Sequence, residues 1–565
     1  MCAAWRVFWH TAGHDMNSLV WRWLTAGYVQ AGLVSLGILL RTIHYLENRS
    51  FWQDEICLAL SIVNRSFTAI VHNVLLFPDF AQAPLLFQLV EKSAVVVLGN
   101  TEMALRLFPF LAGVAALFLA RRFFNRLLGP AAATLALALF VLAEPLVYFA
   151  AELKPYGIDV FAVFLVYEMF FALKDRWTPG RLVIFMAGGA VVIWLSNAML
   201  FILGGAGLVL GLDQLRRREW HRCLGLGIAY GVWLISFLLL YKLSLSGMLN
   251  PELLKNWRLA GGFSPDPLWT WGWLVWMGKA CLALFRVPLG LAWPYLMAVF
   301  FAAGCWSFFR RDRFLLWLLT VPLGLALLAG VLDKYPFFER LVIFLVPGML
   351  VLLAAGMQAA ASAVTGRGQA WAAGVIIAAV FWFPVSAAAW HAVHPRGNED
   401  NRAAMRYMAD HYRPGDLVAL SSQAQYPFWY YGERFGLNSR LVTSPVGTSG
   451  ERATLVIQLF PNMVTQAGRN MLALRQTLSI YDARGFYRSF RLAARSSTPM
   501  FVPADAPAAL QGMGRVWVFL SHHNDAHFPG FVNQVFARAG ERLEYLERPG
   551  VCVALYNIPP DDRKN

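Results

Sequence analysis

The sequence predicts a mainly α, polytopic membrane protein of about eleven transmembrane helices that ends in a soluble C-terminal α/β domain. Three observations predict it. Of 565 residues, 58% are hydrophobic and only 14% are charged, whereas a soluble domain carries about 25% charged residues. The apolar residues gather in runs of about 17–25, the length that crosses a bilayer core, separated by short basic clusters. Beyond residue 395 these runs stop and β-rich stretches begin.

Spans are expected at about 24–43, 105–120, 131–150, 156–173, 181–196, 198–214, 223–243, 287–308, 314–332, 340–360 and 370–390. The first lacks a small-residue cleavage site and reads as a retained anchor. Arg121, Arg122 and Arg126 form one basic cluster, and Lys174, Arg176 and Arg181 a second. Arg216, Arg217, Arg218 and Arg222 form a third, and Arg310, Arg311 and Arg313 a fourth. They alternate with loops poor in Lys and Arg. Basic loops stay in the cytoplasm, so the N-terminus is expected inside an inner (plasma) membrane and everything after residue 390 outside.

Residues 1–395 thus read as a transmembrane domain with outer loops at 44–103, 151–155, 244–286 and 333–339. The first loop holds amphipathic stretches at 54–63 and 84–98, expected to lie along the membrane surface. The loop 244–286 carries Trp257, Trp269, Trp271, Trp273 and Trp276, residues that favour the interface. Residues 396–565 are expected to form an extracytoplasmic α/β domain. A helix near 399–412 ends at Arg413-Pro414-Gly415-Asp416, and β-rich runs follow at 417–420, 516–520 and 551–556.

The net charge of +15 is explained by these basic loops, and no nucleic-acid motif accompanies it, so nucleic acid is excluded as a partner. The six Cys form no CxxC pair, which argues against a disulfide framework or a zinc site. No Gly-rich phosphate loop is present, so no nucleotide cofactor is expected.

Three polar motifs interrupt the apolar pattern on the expected outer side. The first is Trp52-Gln53-Asp54-Glu55, where Asp54 either does chemistry or caps the helix that follows. The second is the turn Glu152-Leu153-Lys154-Pro155-Tyr156, with Asp159 beyond it and Glu144 before it. Charges at membrane depth are costly and usually line a cavity. The third is Asp333-Lys334-Tyr335-Pro336-Phe337-Phe338-Glu339-Arg340. Lys154, Lys334 and Arg340 stand out because the other short outer loops carry almost no basic residues; snorkelling at helix ends is the alternative. Together the motifs supply what attack on a lipid-linked phosphosugar needs. A carboxylate takes the proton from the acceptor, while cations and tyrosine hydroxyls stabilise the departing phosphate.

In order and topology these motifs resemble the GT-C superfamily of integral-membrane glycosyltransferases, especially the branch with protein O-mannosyltransferases and the lipid A aminoarabinose transferase. The acidic first-loop motif is matched by Trp52-Gln53-Asp54-Glu55, the entry into the second span by Glu102 and Arg106, and the second outer loop by Glu152, Lys154 and Tyr156. The likeness covers residues 20–175 best. It implies inverting transfer of a hexosyl or pentosyl group from a polyprenyl-phosphate donor to a glycan, lipid or protein acceptor. Asp54, with Glu55 beside it, would be the general base or help hold a divalent metal. Lys154 and Arg340 would hold the donor phosphate, with Tyr156, Lys334, Tyr335, Glu152 and Arg106 lining the substrate site. One departure stands out: relatives carry a His-Pro-Pro-Leu-like segment where this chain has Gln82-Ala83-Pro84-Leu85, preceded by Asp79.

Two other classes compete. A transporter or lipid-linked sugar flippase would place ionisable groups near the midplane, and Glu168, Asp213 and Lys242 are its candidates. A non-catalytic scaffold would merely present the tail. In the tail, His522-His523-Asn524-Asp525-Ala526-His527 is a weak metal motif without zinc-site spacing.

Overall fold

The structure, a computed structural model, describes residues 27–72, 82–246, 251–364, 367–413, 416–421, 423–437, 444–445, 452–466, 469–481, 487–493, 514–522 and 528–559. The chain divides into two compact units. Residues Met1–Asn48 and Ser61–Pro395 make unit one; Arg49–Leu60 and Arg396–Asn565 make unit two.

Unit one is helical. Among the described residues, eight helices are long and apolar enough to cross a membrane: Gly27–Leu46, Glu102–Leu127, Tyr156–Asp175, Met199–Arg216, Trp220–Leu245, Arg313–Val331, Glu339–Ala363 and Trp371–Val393. The protein is a multi-pass membrane protein. The other three expected spans are altered by identifiable residues. The stretch 131–150 is two helices, Pro130–Leu142 and Glu144–Phe149, parted at Ala143, where ψ is 106°. Pro145 has no N–H to continue the ladder, and its ring crowds the preceding turn. The stretch 181–196 is the 17-residue helix Pro179–Leu195, about 25 Å long at 1.5 Å per residue. The stretch 287–308 becomes helical only at Pro294, because Gly290 and Trp293 turn the chain with φ of +64° and +59°. The region expected near 340 opens as a 3-10 helix, Glu339–Leu345, and becomes α-helical at Val346–Ala363.

Caps fix several helix starts. Thr101 accepts from the Ala104 amide at 3.1 Å, and Asp312 from that of Leu315 at 3.1 Å. The core is aromatic where Glu102–Leu127, Pro130–Leu142 and Tyr156–Asp175 meet: Phe123 stacks on Tyr167 at 5.0 Å, and Phe140 meets Phe164 edge-on at 5.5 Å. Elsewhere small residues bring helices together. A Cβ on Gly304 would lie 1.8 Å from the Leu352 carbonyl oxygen, and one on Gly356 1.7 Å from that of Phe300, the close backbone approach typical of membrane helix pairs.

The basic clusters lie at one end of these helices and are partly neutralised there. Arg122 pairs with Glu168 at 2.7 Å, and Arg126 with both oxygens of Asp175. The turns 151–155 and 332–338 lie at the other end. Within the first long loop, Glu55 to Ser61 of helix Gln53–Val63 are all buried, unlike the exposed face expected of a surface helix.

Unit two is a mixed sheet with helices. Its strands are β1 (Leu417–Ser421), β2 (Ser444–Pro445), β3 (Arg452–Gln466), β4 (Arg469–Tyr481), β5 (Tyr487–Ala493), β6 (Gly514–Ser521), β7 (Glu541–Arg548) and β8 (Val551–Ile558). Their order is β5-β4-β3-β1-β6-β8-β7, with β2 paired to β3. β1 is parallel to both β3 and β6, and the outer pairings are antiparallel. The near-continuous apolar runs of β6 and β8 bury Val516, Val518, Leu520, Ala554 and Tyr556 against Val532 and Phe536 of helix Phe528–Ala539. Asp416 anchors the start of β1: it accepts from Arg515 at 2.7 Å and from the Trp517 indole at 2.9 Å.

Candidate active site

In unit one the turn between Phe149 and Tyr156 is drawn tight by backbone bonds. Ala151 N donates to Tyr148 O at 3.1 Å, Lys154 N to Glu152 O at 2.7 Å and Asp159 N to Pro155 O at 2.8 Å. Pro155 precedes the first helical residue, where a missing N–H costs nothing. Glu152 and Lys154 are 0% and 5% exposed, and Tyr156 and Asp159 are buried too. Four polar groups are thus withdrawn from water within eight residues, a cost usually met at a functional cavity.

A second segment meets this turn. The Arg340 guanidinium carbon sits 5.8 Å from the centre of the Tyr156 ring, within cation–π range. Tyr335 donates to the Leu341 carbonyl at 2.8 Å, which ties the turn to the 3-10 helix after it. Burial, with Asp159 and Tyr156 nearby, holds the Tyr335 phenol well above its usual range, so it stays a hydrogen-bond donor. Lys334 is exposed. The structure therefore brings together Tyr156, Tyr335, Arg340 and Asp159, next to the buried Glu152 and Lys154. Arg106 is buried in the second turn of Glu102–Leu127.

Sequence reasoning passed over Arg41. It lies in the apolar helix Gly27–Leu46, is 1% exposed and donates to Gly37 O at 3.2 Å. It lines a small pocket together with Phe140, Phe149, Gly157 and Ile343. Gly157 follows Tyr156 directly, and Ile343 is one turn past Arg340. The signal was available: an arginine inside an apolar span is costly enough to need a reason.

The departure at Gln82-Ala83-Pro84-Leu85 has a local support. Gln88 donates to Ala83 O at 2.7 Å and accepts from Arg65, which also donates to Ser61 O at 2.7 Å. Burial lowers Arg65 to about 10. Asp79 lies outside the described residues.

Asp54 and Glu55 belong to unit two. The helix starts at Gln53, so Asp54 sits in its first turn and is not its cap. Glu55 is fully buried and Asp54 half-buried. The segment before them is held by the tail. Phe51 N donates to the Tyr431 hydroxyl at 2.9 Å, and Asn401 Nδ2 to Phe51 O at 3.1 Å. Gln53 N donates to Glu399 Oε2 at 3.0 Å. These contacts gather at the carboxyl ends of the parallel strands β1 and β6: Ser521 N donates to Ser421 Oγ at 3.3 Å, and Ser521 Oγ to Asn401 Oδ1 at 2.6 Å. Chain order reverses across β1, the position where open α/β sheets hold ligands. Here that position holds a piece of the chain itself.

Of the histidine-rich tail motif, His522 is described, and its Nδ1 lies 2.6 Å from Glu399 Oε1; residues 523–527 lie outside the described residues. Among the described residues, no group of three or more His, Cys, Asp or Glu is placed to hold a metal.

No protein-family model and no curated protein sequence matches the chain. Solved structures resemble it in arrangement. A crystal structure of ArnT from Cupriavidus metallidurans bound to undecaprenyl phosphate aligns over 94% of this chain and 98% of that one, with 13% identity and a TM-score of 0.49. The same protein in the apo state gives 93% and 98%, 13% identity and 0.45. The archaeal oligosaccharyltransferase AglB from Archaeoglobus fulgidus, in complex with an inhibitory peptide and a dolichol-phosphate, gives 90% and 81%, 11% identity and 0.43.

Proposed function

We propose that this protein is a glycosyltransferase that moves a sugar, with inversion, from a polyprenyl-phosphate donor to an acceptor on the extracytoplasmic face of the inner membrane. One observation carries the proposal: the buried Glu152, Lys154 and Tyr156 meet the half-buried Tyr335 and Arg340 at the end of the helices opposite the basic clusters. Positive loops stay in the cytoplasm, which puts the cluster on the far side. A lipid-bound phosphate floats at that depth, so a transferase acting on it needs its cations there rather than in a nucleotide pocket. ArnT and AglB are each solved with a lipid phosphate; for this chain we rest the proposal on its own residues.

The roles follow from the chemistry. Asp54 takes the proton from the acceptor hydroxyl or amine as that atom attacks the anomeric carbon. The bond from that carbon to the phosphate oxygen breaks, and the polyprenyl phosphate leaves with the negative charge. Lys154 and Arg340 meet that charge, Arg340 through the paired donors of its guanidinium. The Tyr156 and Tyr335 hydroxyls add neutral donors. Lys334, Glu152 and Arg106 complete the proposed substrate-binding set. Asp54 also offers the hard oxygen that a divalent ion would take, and Glu55 beside it in the chain is fully buried. Such an ion, when bound, would polarise the donor phosphate.

The transporter alternative loses support at its own residues. Glu168 pairs with Arg122, and Asp213 with Arg217 at 2.9 Å, so both are satisfied at the basic end. Lys242 is exposed.

The test is transfer from radiolabelled polyprenyl-phosphate sugars in nanodiscs, wild type against Asp54→Asn, with and without a chelator. Transfer by wild type and its loss in the variant support the proposal. Equal transfer by both removes Asp54 from the chemistry. Failure of wild type to bind or hydrolyse any such donor overturns the function.

A further inference from the structure

Glu399 is buried and faces three groups. Its Oε2 accepts from Gln53 N at 3.0 Å and from Asn401 Nδ2 at 2.8 Å, and its Oε1 meets His522 Nδ1 at 2.6 Å. The Gln53 amide is among the donors a helix start leaves unsatisfied, and a carboxylate is the group such a start favours. Here that carboxylate arrives from a residue far along the chain.

The surroundings fix Glu399 in turn. Asp400 N donates to Pro549 O at 2.9 Å, so the chain beside Glu399 is tied to the β7–β8 turn. Gly550 in that turn has φ of +65°, and a Cβ there would lie 2.5 Å from Asn398 O and 2.7 Å from Glu399 Cγ. Only glycine meets both demands. His522 follows β6 with φ of +52°, left-handed for a residue with a side chain, and its N–H donates to Gly550 O at 3.3 Å. That backbone is uncommon and needs external support. It aims the ring at Glu399 and sets it 6.3 Å from the Trp52 ring. Trp52 and Gln53 are the residues just before Asp54.

We propose that Glu399 and His522 are a positioning pair: they clamp the backbone at Gln53 and thereby set the aim of Asp54 in the transfer reaction. Neither touches the reacting atoms in this scheme. The proposal deepens the role given to Asp54 above and rests on it, but the clamp itself has a readout that does not depend on catalysis.

The experiment compares wild type with Glu399→Ala, Glu399→Gln and Asp416→Asn in the full chain in nanodiscs. Hydrogen exchange is followed over residues 51–60 alongside transfer kinetics. Glu399→Ala is expected to speed exchange of that segment about tenfold. It should lower kcat about 100-fold, the usual scale for a misplaced catalytic group, with the donor KM changed by no more than about twofold. Glu399→Gln keeps an oxygen for the Gln53 amide and is expected to restore kcat to within about fivefold of wild type. Asp416 ties the opposite end of β1 and β6, so Asp416→Asn should lower the thermal midpoint and leave kcat and the exchange of 51–60 unchanged. Where Glu399→Ala does not fold, His522→Ala replaces it. It removes one tie and leaves the carboxylate, with a loss in kcat of about tenfold expected.

Unchanged exchange in the Glu399 and His522 variants overturns the clamp. Faster exchange with unaltered kcat overturns its link to catalysis. Equal kcat losses in Asp416→Asn and Glu399→Ala reduce the pair to general stability and overturn the proposal. If wild type transfers from no donor, the transferase function fails, and the exchange data still decide the clamp.

Discussion

Arg340 sets its guanidinium over the ring of Tyr156, 5.8 Å from the ring centre, although the two come from turns far apart in the chain. Arg340→Ala is expected to lower kcat/KM about 10- to 100-fold, the scale of a lost hydrogen bond to a charged group. Arg340→Lys keeps the charge and loses the fork and the stacking, so an intermediate loss is expected. A double-mutant cycle with Tyr156→Leu measures their coupling; strict additivity would show that the ring does not orient the cation.

Asp54→Asn removes the proposed base and little else. A loss in kcat of about 10²- to 10⁴-fold is expected. The limb of the pH–rate profile that reports the base should vanish with it. A variant that kept that limb would move the base elsewhere, with Glu152 the next residue to test.

Glu91, on helix Leu85–Leu98, is buried with neither carboxylate oxygen hydrogen-bonded. Burial favours the neutral acid and raises its pKa well above the ordinary 4.5. The folded chain then binds a proton that the unfolded chain releases above about 4.5, so this residue's contribution is complete at low pH and is lost as pH rises toward the folded value. Glu91→Gln is neutral throughout. It is expected to raise the thermal midpoint in detergent at pH 7–8 and to match wild type below about pH 4.5. Midpoints that run parallel across the whole range would show that Glu91 is ionised in the fold.

Gly304 and Gly356 lie where two helices touch through their backbones. Gly356→Ala places a methyl group 1.7 Å from the Phe300 carbonyl oxygen, which no rotamer change relieves. The helices must part, and a loss of about 1–3 kcal/mol is expected, read as a lower midpoint of heat-induced aggregation. Gly374→Ala, with nothing near its Cβ, is the matching control.

Much of the membrane part was legible because its determinants are local. Apolar runs and basic clusters marked the spans, and Pro155 marked the start of Tyr156–Asp175. Pro145 and Pro294 carried the breaks as well, but a hydropathy reading averages over them. In the tail, the runs at 417–420, 516–520 and 551–556 gave the three central apolar strands β1, β6 and β8. The long β3–β4 pair was missed, since its sequence carries Asn462, Arg469 and Arg475 and alternates weakly. Tyr156 and Arg340 were each singled out, but no periodicity joins them. The attachment of Phe51 and Gln53 to Tyr431, Asn401 and Glu399 left no pattern at all, because each contact spans some 350 to 380 residues. Arg41 was overlooked because it sits inside an apolar run and was averaged away.

Unit two is assembled from two pieces of the chain, and more than three hundred residues separate Leu60 from Arg396. During synthesis at about 5–20 residues per second, the short piece emerges tens of seconds before the tail that receives it. Until Glu399, Asn401 and Tyr431 are made, their contacts with the backbone of Phe51 and Gln53 cannot form. A ribosome that stalls in the last spans leaves a chain whose Gln53 amide lacks its Glu399 partner. Completion of the tail therefore supplies the contacts that hold the residues just before Asp54.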